Sequence, residues 1–207
     1  MGERSLRHTL EEQGITSTVV LEAIERVPRE LFVPPDLREQ AYRNSPLPIG
    51  EGQTISQPYT VAFMVELAGV GRGANCLEIG AGSGYAAAIL AEAVGPTGSV
   101  VAVELIESLA RQGRDNLRRA GYESVVIHCG DGREGYPAQA PYQIILVSAA
   151  ADRTPYNLLD QLAPGGRLVV PVETAAGHAV MKRLEKSESG LSETDHGAFS
   201  FVPLRGR

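Results

Sequence analysis

Leu77-Glu78-Ile79-Gly80-Ala81-Gly82-Ser83-Gly84-Tyr85 is the stretch on which the fold turns. It leaves an apolar run, residues 75–79, that reads as a buried strand, and it enters an alanine-rich helical pattern over residues 84–94. Three glycines at a strand-to-helix junction permit a tight turn and let the backbone approach a ligand closely. A turn that only packs a helix onto a sheet would use glycines in the same way. The dinucleotide fingerprint needs its third glycine three positions after the second. That position is Tyr85, so the pattern is not that of a nicotinamide site.

Downstream of this turn the chain alternates. Residues 99–103, 124–128, 143–147 and 167–172 read as strands, and residues 107–120 and 155–163 as helices. Near-continuous Val/Ile/Leu runs belong to strands buried on both faces, and helices between them make crossovers of a parallel sheet. Residues 178–184 and 198–203 read as two further strands. The polar stretch Lys186 to Gly197 between them holds no helical pattern, so an antiparallel hairpin with a long loop is expected. Upstream, Val20, Ala23, Ile24 and Val27 form the stripe of an amphipathic helix over 17–27, which Pro28 stops. Residues 34–58 are rich in proline and glycine and show no period; a loop of that length in a compact domain usually has a function. A helical pattern returns over 60–68.

The chain has 207 residues, which favours one domain at roughly 100–200 residues each. We read a single unit, 1–207, made of a helical N-terminal region with its loop (1–70) and a sheet core (74–207). A net charge of −6 argues against a protein that lives on a phosphate backbone. Cys76 and Cys129 are too few for a disulfide framework. No run approaches the ~20 apolar residues of a membrane span, and the polar Met1 to His8 segment lacks the apolar core of a signal peptide. A soluble, cytoplasmic protein is expected. The 23 glycines exceed the usual ~7%, and composition alone does not say why.

Acidic residues give the glycine turn its chemistry. Glu78 lies inside the first strand, where a carboxylate is costly without a partner. Glu104 ends the second strand, where an acid meets ribose hydroxyls, although a solvated strand-end acid would look the same. Asp131 sits between Gly130 and Gly132 after the third strand. There it can accept from an adenine amino group or serve only as a turn residue. All these positions are carboxyl ends of parallel strands, the ligand-binding edge of open α/β sheets. Together they favour an adenosine ligand with no pyrophosphate, hence S-adenosylmethionine.

Beyond the turn, Val27-Pro28-Arg29-Glu30-Leu31-Phe32-Val33-Pro34, Ala41-Tyr42, the segment Pro48-Ile49-Gly50-Glu51-Gly52-Gln53-Thr54-Ile55-Ser56-Gln57-Pro58-Tyr59, Val147-Ser148-Ala149-Ala150, residues 165–172 and Phe201-Val202-Pro203-Leu204 follow one another in a familiar order. In these motifs the sequence resembles the protein-L-isoaspartate (D-aspartate) O-methyltransferase family over residues 5–206. The resemblance implies an α/β fold of the class I SAM-dependent methyltransferase type. This is a Rossmann-like, mostly parallel seven-stranded sheet with helices on both faces and a C-terminal antiparallel hairpin. It also implies methyl transfer from S-adenosylmethionine to the free carboxylate of L-isoaspartyl and D-aspartyl residues in damaged proteins and peptides, leaving S-adenosylhomocysteine. The ester then closes spontaneously to a succinimide.

In that reading Ser56 is the catalytic residue, and Thr54, Ile55, Gln57, Ser148, Ala149 and Leu204 bind substrate. Glu78, Gly80, Ala81, Gly82, Ser83, Gly84, Tyr85, Glu104, Leu105, Gly130, Asp131 and Gly132 bind the cofactor, and no metal takes part. The enzyme is expected to be a monomer with neither a nucleic-acid nor a membrane partner. The sequence departs from the family pattern at Ala81 and Ser148, where threonine is common, at Gln143 in place of an aspartate, and at Asp152 where proline is frequent.

The acceptor carboxylate is ionised at neutral pH, so no general base is needed. What the site must supply is orientation, and we expect Ser56, with Thr54 and the Ser148 region, to donate to that carboxylate. Ser56 could instead cap the helix near Thr60. His8, His128, His178 and His196 are scattered; we read His128 as a core residue and both cysteines as ordinary buried apolar side chains. Three other functions compete. A relative with the same chemistry could act on an aspartate of one peptide precursor. A nucleic-acid methyltransferase would carry an Asn/Asp-Pro-Pro-aromatic motif where Ser148-Ala149-Ala150-Ala151 stands. A non-catalytic binding module would have no need of Ser56, Glu104 and Asp131.

Overall fold

The computed structural model describes residues 5–206. Its α-helices are α1 (Leu6–Glu12), α2 (Thr18–Arg26), α3 (Pro58–Ala68), α4 (Tyr85–Val94) and α5 (Glu107–Arg119). Its strands are β1 (Leu47–Gly50), β2 (Gln53–Ile55), β3 (Asn75–Ile79), β4 (Ser99–Glu104), β5 (Val126–Cys129), β6 (Tyr142–Val147), β7 (Leu162–Glu173), β8 (Ala179–Ser187) and β9 (Gly190–Phe199). Seven strands form one sheet in the order β5-β4-β3-β6-β7-β8-β9, and β1 pairs only with β2. Strands β3 to β7 run parallel, and β8 and β9 each run antiparallel to their predecessor. This is the expected mostly parallel sheet with a C-terminal hairpin.

The two faces are covered differently. Alternation sends Cys76, Val100, Ala102, Ile144 and Leu146 to one side, where they pack with Leu10, Val20, Ile24, Val61, Ile89 and Leu117 of all five α-helices. Leu77, Ile79, Val101, Val103, Ile145 and Leu168 point to the other side, where Leu158, Tyr136 and Leu204 cover them. That second cover is built from short 3-10 turns and the C-terminal tail rather than from long helices. The N-terminal region therefore shares a core with the sheet.

Several elements differ from the sequence reading. Helix α1 was not anticipated; it is short, with a single buried residue, Leu10, and Ser5 accepts the His8 N–H at its start. The "irregular" 34–58 stretch contains the β1–β2 hairpin, whose tip Gly50-Glu51-Gly52 lies entirely at positive φ. Residues 155–163 make a 3-10 turn (Tyr156–Gln161), and β7 already begins at Leu162. The expected long loop of 186–197 holds the end of β8, a two-residue turn and most of β9. Residues 200–203, expected as strand, are tail with only a bridge from Pro203 to Ala150. Strand β9 is an exposed edge held by Lys182, which reaches Glu193 at 2.7 Å and Asp195 at 2.8 Å. A strand wet on both faces shows no apolar alternation for a sequence reading to detect.

Candidate active site

The glycine turn is fixed by backbone bonds. The N–H groups of Gly80 and Ala81 both donate to the Val103 carbonyl, at 2.8 and 3.2 Å. Gly84 has φ +86°, and a Cβ there would stand 3.1 Å from Leu117 Cγ and 3.2 Å from the Gly113 carbonyl. Only glycine lets the turn lie this close to α5. The Gly82 N–H donates to Glu104 Oε2 at 2.8 Å, and the Ile106 N–H donates to Glu104 Oε1 at 2.9 Å. Glu104 thus ties the turn after β3 to the start of α5, and it also lines the cavity between them.

That cavity is walled by Ile79, Val103, Leu105, Ile106 and Leu109, with Gly80, Gly82, Gly132 and Glu104 at its polar edge. Ile49, Gln53 and Thr54 of the hairpin and Val202, Pro203, Leu204 and Arg205 of the tail close it. An apolar slot with one acid suits a heterocycle on a ribose. The Gly82 N–H faces a carboxylate, which would oppose a pyrophosphate and favour a cationic group. The donor set therefore fits the sulfonium nucleoside expected from the sequence.

A second opening, of about 400 Å³, is lined by Thr54, Ser56, Gln57, Tyr59, Ser148, His178, Phe199 and Phe201. Tyr59 and Phe199 line it, and Phe63 packs against both with tilted rings, its centroid 5.8 Å from Tyr59 and 5.2 Å from Phe199. A smaller pocket beneath the turn is lined by Thr54, Ile55, Ser56, Glu78, Ala81, Ser83, Tyr85 and Ser148. Thr54 and Ser148 line all three spaces, so the cleft and the slot meet at these two residues.

Ser56 is not the cap of α3. That position is Gln57, followed by Pro58, and the Ser56 hydroxyl has no hydrogen-bond partner among the described residues. Its carbonyl is held instead, by Arg29 Nη2 at 2.9 Å. Glu78 is 1% exposed, and Ser148 Oγ donates to its Oε1 at 2.8 Å. Burial pushes the Glu78 carboxyl up to about 8; the Ser148 bond opposes this and the nearby Glu104 charge adds to it. Glu78 Oε2 is buried without a partner.

The remaining expected residues fall as follows. Ala149 and Leu204 line the slot rather than the cleft. Gly84 lies behind the turn, and Gly130 and Asp131 are not in the slot wall, although Gly132 is. Asp131 is engaged by Arg133, whose Nη2 stands 2.8 Å from its Oδ2. Gln143, an exception to the family pattern, accepts the Asn75 N–H at 2.7 Å and so joins the starts of β3 and β6. His128 stacks on Tyr136 at 4.1 Å with its Nε2 buried and unbonded. Cys76 is buried as expected, whereas Cys129 is exposed, since it ends β5 at the edge of the sheet. The sequence reading missed His178, Tyr59, Phe199 and Phe201 in the cleft and Ile49, Gln53, Ile106 and Leu109 in the slot. Tyr59, Ile49, Gln53 and Phe201 belonged to motifs already singled out, whereas His178 and Phe199 come from the β7–β8–β9 region and carry no local signal.

Comparison with known proteins identifies the family and agrees with the fold. The family model described as protein-L-isoaspartate (D-aspartate) O-methyltransferase matches residues 1–207. The protein-L-isoaspartate O-methyltransferase of Ignicoccus hospitalis is 48% identical over 96% of this chain and 94% of its own. That of Methanopyrus kandleri is 51% identical, over 93% of this chain and 85% of its own. A solved protein-L-isoaspartate O-methyltransferase superposes with a TM-score of 0.88 at 31% identity, covering 97% of this chain and 65% of that one. A Plasmodium falciparum structure, solved with S-adenosyl-L-homocysteine, has a TM-score of 0.87 at 22% identity, covers 99% of this chain and 100% of that one, and supports the fold. With whole-length matches in sequence and in fold, this chain belongs to the protein-L-isoaspartate (D-aspartate) O-methyltransferase family.

Proposed function

We infer that this chain is a protein-repair methyltransferase that esterifies the free carboxylate of L-isoaspartyl and D-aspartyl residues with the methyl group of S-adenosylmethionine. The observation that carries the reading is the meeting of cleft and slot at Thr54 and Ser148, with an unengaged Ser56 hydroxyl beside them. When bound, the cofactor supplies an electrophilic sulfonium methyl for in-line displacement by the acceptor carboxylate. The protein's work is alignment and exclusion of water, and aligned juxtaposition can supply roughly 7–11 kcal/mol.

Glu104 and the apolar slot hold the nucleoside side. Ser56, helped by Thr54, donates to the acceptor carboxylate without taking a proton from it. Glu78, kept protonated through neutral pH by burial, places no second anion beside the incoming one. The aromatic rings of Tyr59, Phe199 and Phe201 give the flanking polypeptide an apolar surface.

The enzyme acts as one domain, since the N-terminal helices and the sheet share a core. We take it to act as a monomer. Two free thiols suit a reducing cytoplasm. No described helix is long and apolar enough to cross a membrane. The test is transfer of labelled methyl from S-adenosylmethionine to an isoaspartyl peptide and to its normal-aspartyl twin. Label on the first and not on the second is expected; equal labelling of the two, or none on either, overturns the reading.

A further inference from the structure

Arg29 is an unusual occupant of a protein interior. It opens a 3-10 turn (Arg29–Leu31), is 0% exposed, and forms no ion pair with any described carboxylate. Its Nε donates to the Ala41 carbonyl at 2.8 Å and its Nη2 to the Ser56 carbonyl at 2.9 Å. Its guanidinium carbon stands 4.6 Å from the centroid of the Tyr85 ring, a cation–π contact. Tyr85 is the first residue of α4, directly after the glycine turn, and its ring is fixed edge-on against Phe32 at 5.6 Å. Arg29 Nη1 and the Tyr85 hydroxyl are buried without partners.

A buried cation without a counter-ion is expensive, and an apolar side chain of similar volume fills such a space at lower cost. The contacts of Arg29 are ones an apolar side chain cannot make. They join the Ser56 backbone on the acceptor side to the first helical residue on the cofactor side. A planar fork on two carbonyls fixes direction as well as distance, which an ammonium group does not. We propose that Arg29 is a positioning residue for methyl transfer, holding the Ser56 backbone in register with the glycine turn so that the Ser56 hydroxyl meets the acceptor carboxylate. This inference rests on the role given to Ser56.

The test is a double-mutant cycle on the full chain: wild type, Ser56→Ala, Arg29→Lys and the double variant. Turnover, peptide KM, S-adenosylhomocysteine affinity and Tm are measured for each. Arg29→Met, with similar bulk and no donors, is run in parallel in case the lysine variant does not fold. Coupling between residues that act as a unit appears as non-additivity. We expect Arg29→Lys, or Arg29→Met in its place, to lower kcat about tenfold with cofactor affinity held within about twofold. In the Ser56→Ala background the same change should cost less than about twofold. Equal losses in both backgrounds, or unchanged kcat in a folded variant, overturn the inference while the role of Ser56 stands. If Ser56→Ala alone keeps full kcat, the role of Ser56 falls and the inference falls with it.

Discussion

The glycine turn (80–85) and the hairpin segment (47–57) face each other across the same junction but are held in opposite ways. The turn is tied chiefly through its own N–H groups, from Gly80, Ala81 and Gly82 to β4 and its terminal acid, with the Asn116 amide donating to the Ser83 carbonyl at 3.0 Å and Arg29 lying over Tyr85. The hairpin is tied by side chains from elsewhere: Arg29 on the Ser56 carbonyl, Ser108 Oγ on Glu51 Oε1 at 2.7 Å, and Asn44 Oδ1 accepting the Tyr59 N–H at 2.9 Å just beyond it. Backbone ties need glycines and an acid at fixed spacing, so they leave a local pattern. Side-chain ties draw on residues far along the chain and leave none. In the proposed function this difference divides the labour: the turn shapes the slot assigned to the cofactor, and the hairpin carries Ser56 and Thr54 at the edge of the cleft assigned to the acceptor.

Perturbations confined to one side should leave the other side's property intact. The largest expected effect is that of Glu104→Ala. It removes the acceptor of two backbone N–H bonds together with the slot's acid, and hydrogen bonds to charged groups are worth about 1.5–3 kcal/mol each. Calorimetry should show S-adenosylhomocysteine affinity falling at least ~100-fold, with peptide KM at saturating cofactor little changed.

Glu78→Gln probes the boundary between the two sides. The folded-state carboxyl titrates near 8 and its ordinary value is 4.5, so between them the native chain keeps a proton that the unfolded chain has lost. Native stability from this group is therefore highest at acid pH, falls as pH rises from about 4.5 to about 8, and is level above that. The glutamine variant should lose this slope, an effect on the order of a few kcal/mol, when denaturant unfolding is compared across that pH range. A slope equal to wild type would mean Glu78 is ionised in the fold.

Gly84→Ala tests the backbone tie. Left-handed backbone at +86° and the close approach to Leu117 should lower unfolding free energy by ~2 kcal/mol and Tm by several degrees. An unchanged Tm would show that the turn can relax. Ser108→Ala tests the weakest side-chain tie, an exposed hydrogen bond worth roughly 0.5–1 kcal/mol. Cofactor off-rate should rise about threefold by stopped flow, with kcat nearly unchanged.

The same contrast explains what the sequence made legible. The five parallel strands were readable because burial on both faces writes continuous apolar runs, as in Gln143 to Val147. Glu104, the acid of the slot, was readable as a candidate from its place at a strand end. Strand β9 was not, because it is an outer edge stabilised by ion pairs rather than by an apolar face. Nor was the β1–β2 hairpin, whose strands of four and three residues are too short for their alternation to stand out and whose tip is set by positive-φ residues. The family motifs singled out Ser56, Thr54 and Ser148, but their convergence on one junction is a property of the fold. His178 and Phe199 reach the cleft only because the antiparallel hairpin β8–β9 folds back beside α3, a long-range placement that no local motif encodes.

The division of labour is tested most directly with Ser56→Ala, measured for S-adenosylhomocysteine affinity by calorimetry and for kcat on an isoaspartyl peptide in the same preparation. Removal of one positioned donor from a reacting oxyanion costs on the order of 100-fold in turnover. The arrangement described here predicts a loss of about that size in kcat with cofactor affinity unchanged. A variant whose cofactor affinity collapses while kcat at saturation is retained would contradict it.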